Sequence, residues 1–372
     1  MSARKELLEL KDVYYHEGSS KVFMDAMREC LTQHTENNEF FRNLMESSGI
    51  KVEDIKCESD LEKIPLIHAN FFKKYVVMSI PEEDVVFHAT SSGTSGQKSQ
   101  MFFDQDTYDF GNAMIENEFR YFGFLSDEPT NYILFTYEPA EISKNLGTAK
   151  TDLGLLSYAP VNETFFALRY NGQGHDFDVY GTISALEEYE RQGLPVRIFG
   201  FPSFLYFTVK QMKDTGHRPL KLNKKSMTML GGGWKGYADK QIQKTELYAL
   251  VEEMLGIPSE NCRDGYGSTE HSVPYFECPN HHFHIPVYSR MIIRDVRTLE
   301  PLPYGEAGFA NFITPHLMSV PAVSVLMGDM AVLHPGEECG CGIKTPYMEI
   351  LGRAGTSAAK SCAITASELL KR

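Results

Sequence analysis

Between residues 85 and 255 the chain alternates short apolar runs with stretches of helical spacing, and this constrains the fold more than any other feature. Val85–Thr90 (VVFHAT), Asn131–Tyr137 (NYILFTY), Val196–Phe201 (VRIFGF) and Ser226–Leu230 (SMTML) read as strands. Asp104–Gly123 and Tyr237–Leu255 read as helices, the first capped by Asp104 or Asp106. Continuous apolar strands separated by helices predict βαβ units and a largely parallel sheet covered on both faces. After residue 282 the pattern changes to IPVYSRMIIRD, AGFANFITPH, DMAVLHP and YMEILG, separated by turns such as LEPLPYGEAG. That is an antiparallel β region, read as a small barrel, which continues from the α/β part without a visible linker.

The N-terminal stretch 20–47 reads as one helix, with Val22, Phe23, Ala26, Met27, Cys30 and Leu31 on one face. A second helix is expected over HANFFKKYVVMSI. No apolar run reaches the roughly 18 residues that span a bilayer, and MSARKELLEL has no signal-peptide core. The chain reads as cytoplasmic. Its seven cysteines, an odd number spread over 372 residues, read as reduced thiols. The formal net charge of −14 argues against a protein built to bind nucleic acid or an anionic membrane. A local cationic pocket for phosphate is still compatible with it.

Five short motifs carry chemistry. The sharpest is Ala89–Ser99, ATSSGTSGQKS, where Thr90, Ser91, Ser92, Gly93, Thr94, Ser95 and Gly96 lead to Lys98. Small residues let backbone N–H groups close on phosphate oxygens, hydroxyls add donors, and a lysine adds charge. The flanks read as a strand before and a helix after; the plainer reading is a flexible surface loop. The pattern is not a P-loop. Gly231, Gly232 and Gly233 follow a strand and permit close backbone approach to a ligand. In RDGYGSTEH, Tyr266 lies between glycines and can present its ring to a planar group, and Glu270 can hold a hard cation. A turn with a structural tyrosine is the bland alternative. Asp329 in MGDM can accept from ribose hydroxyls, and Gly352-Arg353 forms the last pair.

In this order the five motifs resemble the adenylate-forming superfamily of acyl-CoA synthetases, peptide-synthetase adenylation domains and luciferase-like ligases. The resemblance implies that Thr90–Lys98 wrap the ATP triphosphate. It implies that Gly231–Gly233 and Tyr266 line the adenine, Gly267 belongs to the ATP site, Thr269 meets the α-phosphate, Glu270 holds Mg²⁺, Asp329 the ribose, and Arg353 ribose or phosphate. The reaction implied is carboxylate plus ATP giving acyl-adenylate and pyrophosphate. Lys98 and Glu270 would act in catalysis by positioning and charge neutralisation.

Superfamily members continue past the Gly-Arg pair into a mobile domain that carries a catalytic lysine. This sequence ends at Arg372, so that domain is expected to be largely absent. Lys360 and Lys371 do not stand in its usual context. The expected organisation is an adenylation domain over 1–352, with a β-rich subdomain at 282–352, and a tail over 353–372. In the tail, TSAAKSCAITASELLKR, Cys362 lies two residues from Lys360, and a nearby cation favours the thiolate. Such a thiol can take an acyl group from an adenylate; a small apolar residue packing a terminal helix is the plainer reading. The loop and this tail together resemble the acyl-protein synthetases of bacterial bioluminescence. There a long-chain fatty acid is activated, passed to a C-terminal cysteine and handed to a partner reductase that makes aldehyde. The resemblance assigns the carrier to Cys362, and implies a fatty-acid reductase as partner, with an acyltransferase in one complex.

Cys278, His281, His282 and His284 (CPNHHFH) and Cys339 and Cys341 (CGC) suggest a structural Zn²⁺ site. The expected four are Cys278, His284, Cys339 and Cys341; free thiols with surface histidines are the alternative. Phe201–Phe207, FPSFLYF, reads either as acyl-tunnel lining or as core. His271 has no firm role. Two other readings are weighed, a CoA ligase of the phenylacetate type and a nucleotide-binding module without chemistry. Carboxylate-dependent pyrophosphate exchange separates the module from the enzymes.

Overall fold

Apolar residues at helical spacing fold the N-terminal stretch of this computed structural model into helices α1 (Ala3–Leu8), α2 (His16–Asn37) and α3 (Glu39–Ser47). The structure describes residues 2–91, 98–139, 154–234 and 236–354. The face of α2 buries Phe23, Ala26, Met27, Cys30 and Leu31 as expected, with Val22 half-buried. The single helix over 20–47 is instead two. At Asn38 the backbone is extended, and its side chain accepts from the Phe41 amide at 2.9 Å, so the residue ends one helix and caps the next. Next come β1 (Ile67–His68), α4 (Phe71–Lys74), β2 (Phe87–Thr90), β3 (Gln100–Phe103) and α5 (Gln105–Tyr121). The helix expected over HANFFKKYVVMSI shrinks to the four residues of α4. Asp104 caps α5 by accepting from the Thr107 amide at 2.9 Å.

The middle of the chain supplies β4 (Thr130–Tyr137), β5 (Val161–Tyr170), β6 (His175–Phe177), α6 (Val179–Gln192), β7 (Val196–Gly200) and α7 (Pro202–Asp214). It continues with β8 (Met227–Leu230), α8 (Lys244–Leu255), β9 (Cys262–Tyr266) and β10 (Tyr275–Phe276). The helix expected from Tyr237 begins later, at Lys244, after a short 3₁₀ turn at Ala238–Lys240. A seven-stranded sheet runs β10-β9-β8-β7-β4-β5-β6. The β4–β5, β4–β7, β7–β8 and β8–β9 pairs are parallel, and the β5–β6 hairpin is antiparallel. Its core joins Ile133, Phe135, Val196 and Ile198 of the strands to Leu186 of α6, Leu205 and Val209 of α7 and Leu247 and Val251 of α8. At the end of β7, Gly200 has φ +121°, and a Cβ there would lie 2.4 Å from the carbonyl oxygen of Phe135 on β4.

The last stretch forms β11 (Phe283–His284), β12 (Arg290–Arg294), β13 (Ala307–Ile313), β14 (Ser324–His334) and β15 (Tyr347–Arg353). They pair antiparallel in the order β11-β15-β14-β13-β12, and β1 adds in parallel against β14. The antiparallel region is thus as expected, but it is an open sheet rather than a barrel, with β11 and β12 at the two ends of its path.

Two compact units result. The first gathers the described residues of Met1–Glu118, Gly267–Tyr275 and His282–Arg372; the second takes Phe119–Tyr266 and Phe276–His281. No helix among the described residues is long and apolar enough to cross a membrane.

Candidate active site

The Ser/Thr/Gly run is flanked by two paired strands, not by a strand and a helix. β2 and β3 pair from Phe87↔Phe103 to Thr90↔Gln100. QMFF is a strand because it alternates half-buried Gln100 and Phe102 with buried Met101 and Phe103. A helix N-terminus therefore does not stand behind this loop. The neck is closed by two bonds. The Ser91 amide donates to the Ser99 carbonyl at 3.1 Å, and the Ser99 amide donates to Ser91 Oγ at 2.9 Å. Thr90 and Lys98 are exposed and Ser91 is half-buried. Ser92, Gly93, Thr94, Ser95 and Gly96 lie outside the described residues.

Ser99 is fully buried, and its hydroxyl donates to Oε1 of Glu270, which is itself 6% exposed. Glu270 Oε2 has no hydrogen-bond partner among the described residues. Sequence reasoning assigned Ser99 no role, although it follows Lys98 directly. Glu270 sits in a tight turn after β9. There the Ser272 amide donates to the Ser268 carbonyl at 2.8 Å, Ser272 Oγ donates to the Thr269 carbonyl at 2.6 Å, and Ser272 has φ +58°. Thr269 is half-buried and Gly267 exposed. His271, next in the chain, packs into the core. Its Nε2 lies 2.8 Å from the Tyr275 hydroxyl and its ring stacks on Phe312 at 4.8 Å. Burial pushes its pKa down to about 3 and keeps it neutral.

The two weak dipeptides near the end of the chain become neighbours. β14 and β15 pair with Asp329 opposite Arg353, and Arg353 Nε lies 3.5 Å from Asp329 Oδ1. Asp329 is buried, whereas the Arg353 side chain is 64% exposed. The register slips between Met330 and Ala331, and Gly352, at φ +115°, holds a conformation L side chains rarely adopt.

In the second unit, Gly231–Gly233 follow β8 directly. The Gly231 amide donates to the Gly200 carbonyl at 3.1 Å, and Gly232 and Gly233 take φ +74° and +68°. Leu230, Gly233, Trp234, Lys244, Tyr248 and Asp264 line a small cavity of about 120 Å³ beside them. It opens at the carboxyl ends of parallel strands, where α/β sheets bind ligands. Tyr266 ends β9 and is half-buried. Sequence reasoning missed the charged group here. Lys244 Nζ lies 3.0 Å from Asp264 and 2.5 Å from the fully buried Glu277, which also accepts from the Tyr248 hydroxyl at 2.9 Å. Burial alone would lower the Lys244 pKa, but the two carboxylates outweigh it and hold it raised. Phe204 and Leu205 of FPSFLYF are core residues.

The cysteine–histidine cluster has donor-set geometry suited to a soft cation. His284 Nδ1 donates to the Thr345 carbonyl at 2.7 Å, so the lone pair is on Nε2, 3.3 Å from Cys341 Sγ. His284, Cys339 and Cys341 bring their ligand atoms within 4.8 Å of one another. Gly340, at φ +73°, turns the backbone between the two thiols. His282 Nδ1 is 3.1 Å from Cys339 Sγ. Cys278 is fully buried in the Phe276–His281 segment, where His281 bonds instead to Ser259 Oγ at 3.0 Å. Cys362, Lys360 and Lys371 lie outside the described residues.

The pattern of the family described as "Acyl-protein synthetase, LuxE" matches residues 10–371. A long-chain-fatty-acid–luciferin-component ligase of Vibrio harveyi is 25% identical over 338 residues, covering 90% of this chain and 84% of the relative. Its namesake in Aliivibrio fischeri is 22% identical over 353 residues, 93% of this chain and 88% of the relative. Among solved structures, an open conformation of 2-hydroxyisobutyryl-CoA ligase with 2-HIB-AMP and CoA gives a TM-score of 0.65 at 14% identity, covering 92% of this chain and 76% of that one. The same enzyme in the postadenylation state with 2-HIB-AMP gives 0.63 at 14%, over 92% and 69%. At that identity the likeness is one of fold, and the α/β fold is that of the adenylate-forming ligases. The chain belongs to the acyl-protein synthetase family, LuxE.

Proposed function

We propose that this ligase activates a long-chain fatty acid with ATP, takes the acyl group onto Cys362 and passes it to a partner fatty-acid reductase in the cytoplasm. The observation that carries this reading is the family match over residues 10–371, which takes in both Lys98 and Cys362. The relatives named long-chain-fatty-acid–luciferin-component ligases support the substrate class and the bioluminescence setting; an acyltransferase in the same complex is part of this reading. In this reading 1–352 is the adenylation domain and 353–372 the acceptor tail.

A fatty-acid carboxylate oxygen attacks the α-phosphorus of ATP, and the bond to the pyrophosphate oxygen breaks. Thr90–Gly96 and Lys98 hold the triphosphate, Thr269 meets the α-phosphate, Gly231–Gly233 and Tyr266 receive the adenine, and Gly267 lies in the same ATP site. Asp329 accepts from the ribose hydroxyls, with Arg353 beside it. Glu270 is the ligand for Mg²⁺, which when bound neutralises phosphate charge. The fit rests on a buried carboxylate with one oxygen engaged and the other unpartnered among the described residues. The Cys362 thiol then loses its proton to solvent, its sulfur attacks the acyl carbon, and AMP leaves. A thiol of the reductase takes the acyl group by the same exchange.

The test is incubation with labelled fatty acid and MgATP, with and without CoA. Label should remain on the protein, be released by hydroxylamine and be absent from Cys362→Ser. Undiminished labelling of that variant removes the carrier role. Appearance of the label as a CoA thioester in solution would favour the phenylacetate-type ligase instead.

A structural zinc ion is proposed as well, with His284, Cys339 and Cys341 as ligands and Cys278 the fourth of the expected set. The Thr345 carbonyl orients His284 for it. Purified protein should carry about one zinc per chain, and Cys341→Ser less. Zinc-free protein purified without chelator sinks the idea.

A further inference from the structure

Ser99 joins two parts of the site that stand far apart in the sequence. Its backbone is tied to Ser91 in both directions, so its position is set by the neck of the hydroxyl-rich loop. Its side chain is fully buried and donates to Oε1 of Glu270, a residue 171 positions further on. Glu270 makes no ion pair among the described residues, and Lys98 beside Ser99 is exposed to solvent. The carboxylate is therefore held by a neutral donor, and its charge is left for something else.

This is a chemically specific arrangement. A carboxylate that accepts from a hydroxyl on one oxygen retains the other for a cation, in monodentate fashion. A buried hydroxyl whose backbone is fixed on both sides loses little further freedom when it orients that carboxylate. A lysine or arginine at the same place would hold Glu270 more tightly but would neutralise it and compete with a cation. An alanine would leave the carboxylate free to rotate and poorly solvated.

We propose that Ser99 is a positioning residue for the divalent cation, fixing Glu270 through Oε1 so that Oε2 is presented to the metal of the nucleotide. The inference rests on the reading of Glu270 as the Mg²⁺ ligand. It adds that the loop neck and the metal carboxylate form one device, in which displacement of the Ser91–Ser99 clamp alters metal affinity as well as phosphate binding.

The test measures Mn²⁺ binding by electron paramagnetic resonance, with the full chain and a non-hydrolysable ATP analogue, alongside the Mg²⁺ dependence of fatty-acid-dependent pyrophosphate exchange. Ser99→Ala should weaken Mn²⁺ binding about ten- to a hundredfold, the range for loss of a partner that orients a metal ligand. It should raise the Mg²⁺ concentration for half-maximal exchange by a similar factor, with a smaller change in the rate at saturating Mg²⁺. Ser99→Thr, which keeps the hydroxyl, should restore both. Circular dichroism of the two variants separates this from misfolding, and the soluble threonine variant keeps the question answerable if the alanine variant does not fold. Equal Mn²⁺ affinity in parent and Ser99→Ala overturns the proposal, as does a threonine variant as weak as alanine. If Glu270→Gln also leaves Mn²⁺ binding intact, the assignment of Glu270 has failed, and the Ser99 inference with it. If parent and variants all bind Mn²⁺ as expected but none supports exchange, only the activity reading has failed.

Discussion

Gly200 shows how much a single position can carry. Its φ of +121° is a conformation nearly closed to other residues, and the strand beside it leaves no room for a side chain. Gly200→Ala should cost more than about 2 kcal/mol, because a backbone carbonyl rather than a flexible side chain stands in the way. Urea unfolding followed by circular dichroism should show a lower midpoint; an unchanged midpoint would mean that β4 and β7 separate easily. Nothing local in VRIFGF announces this, since the obstructing carbonyl belongs to Phe135. The same limit applies to Glu270. Its candidacy was legible from RDGYGSTEH, but its bond to Ser99 was not, because short-range patterns carry no information on what meets across 171 residues. Asp329 and Arg353 were likewise legible as types and not as neighbours.

Helices and buried strands are legible in the sequence where their periods are strong. The runs in β4, β7 and β8 are apolar on both faces, and they became central parallel strands. The errors fall where a short polar device or a distant partner decides. Asn38 splits one periodic stretch into α2 and α3. β3 is four residues long and pairs back on β2, so the stretch after Lys98 did not announce itself as a strand. Elements are also pinned to one another by side chains. Arg290 of β12 donates to Glu58 through Nε at 3.0 Å and Nη2 at 2.8 Å, and its guanidinium stacks 4.1 Å from the Phe23 ring of α2. A lysine cannot reproduce a two-pronged bond or the flat stacking. Arg290→Lys should therefore lower stability by about 1–2 kcal/mol. A double-mutant cycle with Glu58→Gln should return a coupling of about 1 kcal/mol or more; additivity would show that the geometry contributes nothing.

For the whole chain, acidity is the informative variable. His34 is fully buried, with Nδ1 2.7 Å from Ser79 Oγ and Nε2 2.8 Å from the Leu317 carbonyl. Burial, partly offset by the Leu317 bond, lowers its pKa to about 4. His271 is lowered further by burial alone. Both are neutral when folded but protonate when unfolded below about pH 6.5, so the unfolded chain binds more protons in that window. Stability should thus fall as pH drops from 7 to 5, by about 2 kcal/mol for a site like His34. His34→Gln keeps a donor for the Leu317 carbonyl and removes the titration. Its unfolding midpoint should depend less on pH over that range than the parent's, and equal slopes would exclude His34 as a contributor.

The route of the chain through its two units sets an order of events during synthesis. Arg4 is held by the carbonyls of Pro315 and His316, β1 pairs with β14, and the Val287 amide donates to the Val13 carbonyl. The first 118 residues thus emerge from the ribosome long before the strands that complete them. At about 5–20 residues per second, that interval is roughly 10–40 s. Meanwhile most of the parallel sheet can finish from its own contiguous stretch. The N-terminal helices wait without the Arg290 guanidinium over Phe23 and without the Leu317 carbonyl that meets Cys30 and His34, and a premature stop before β14 leaves β1 without its partner strand.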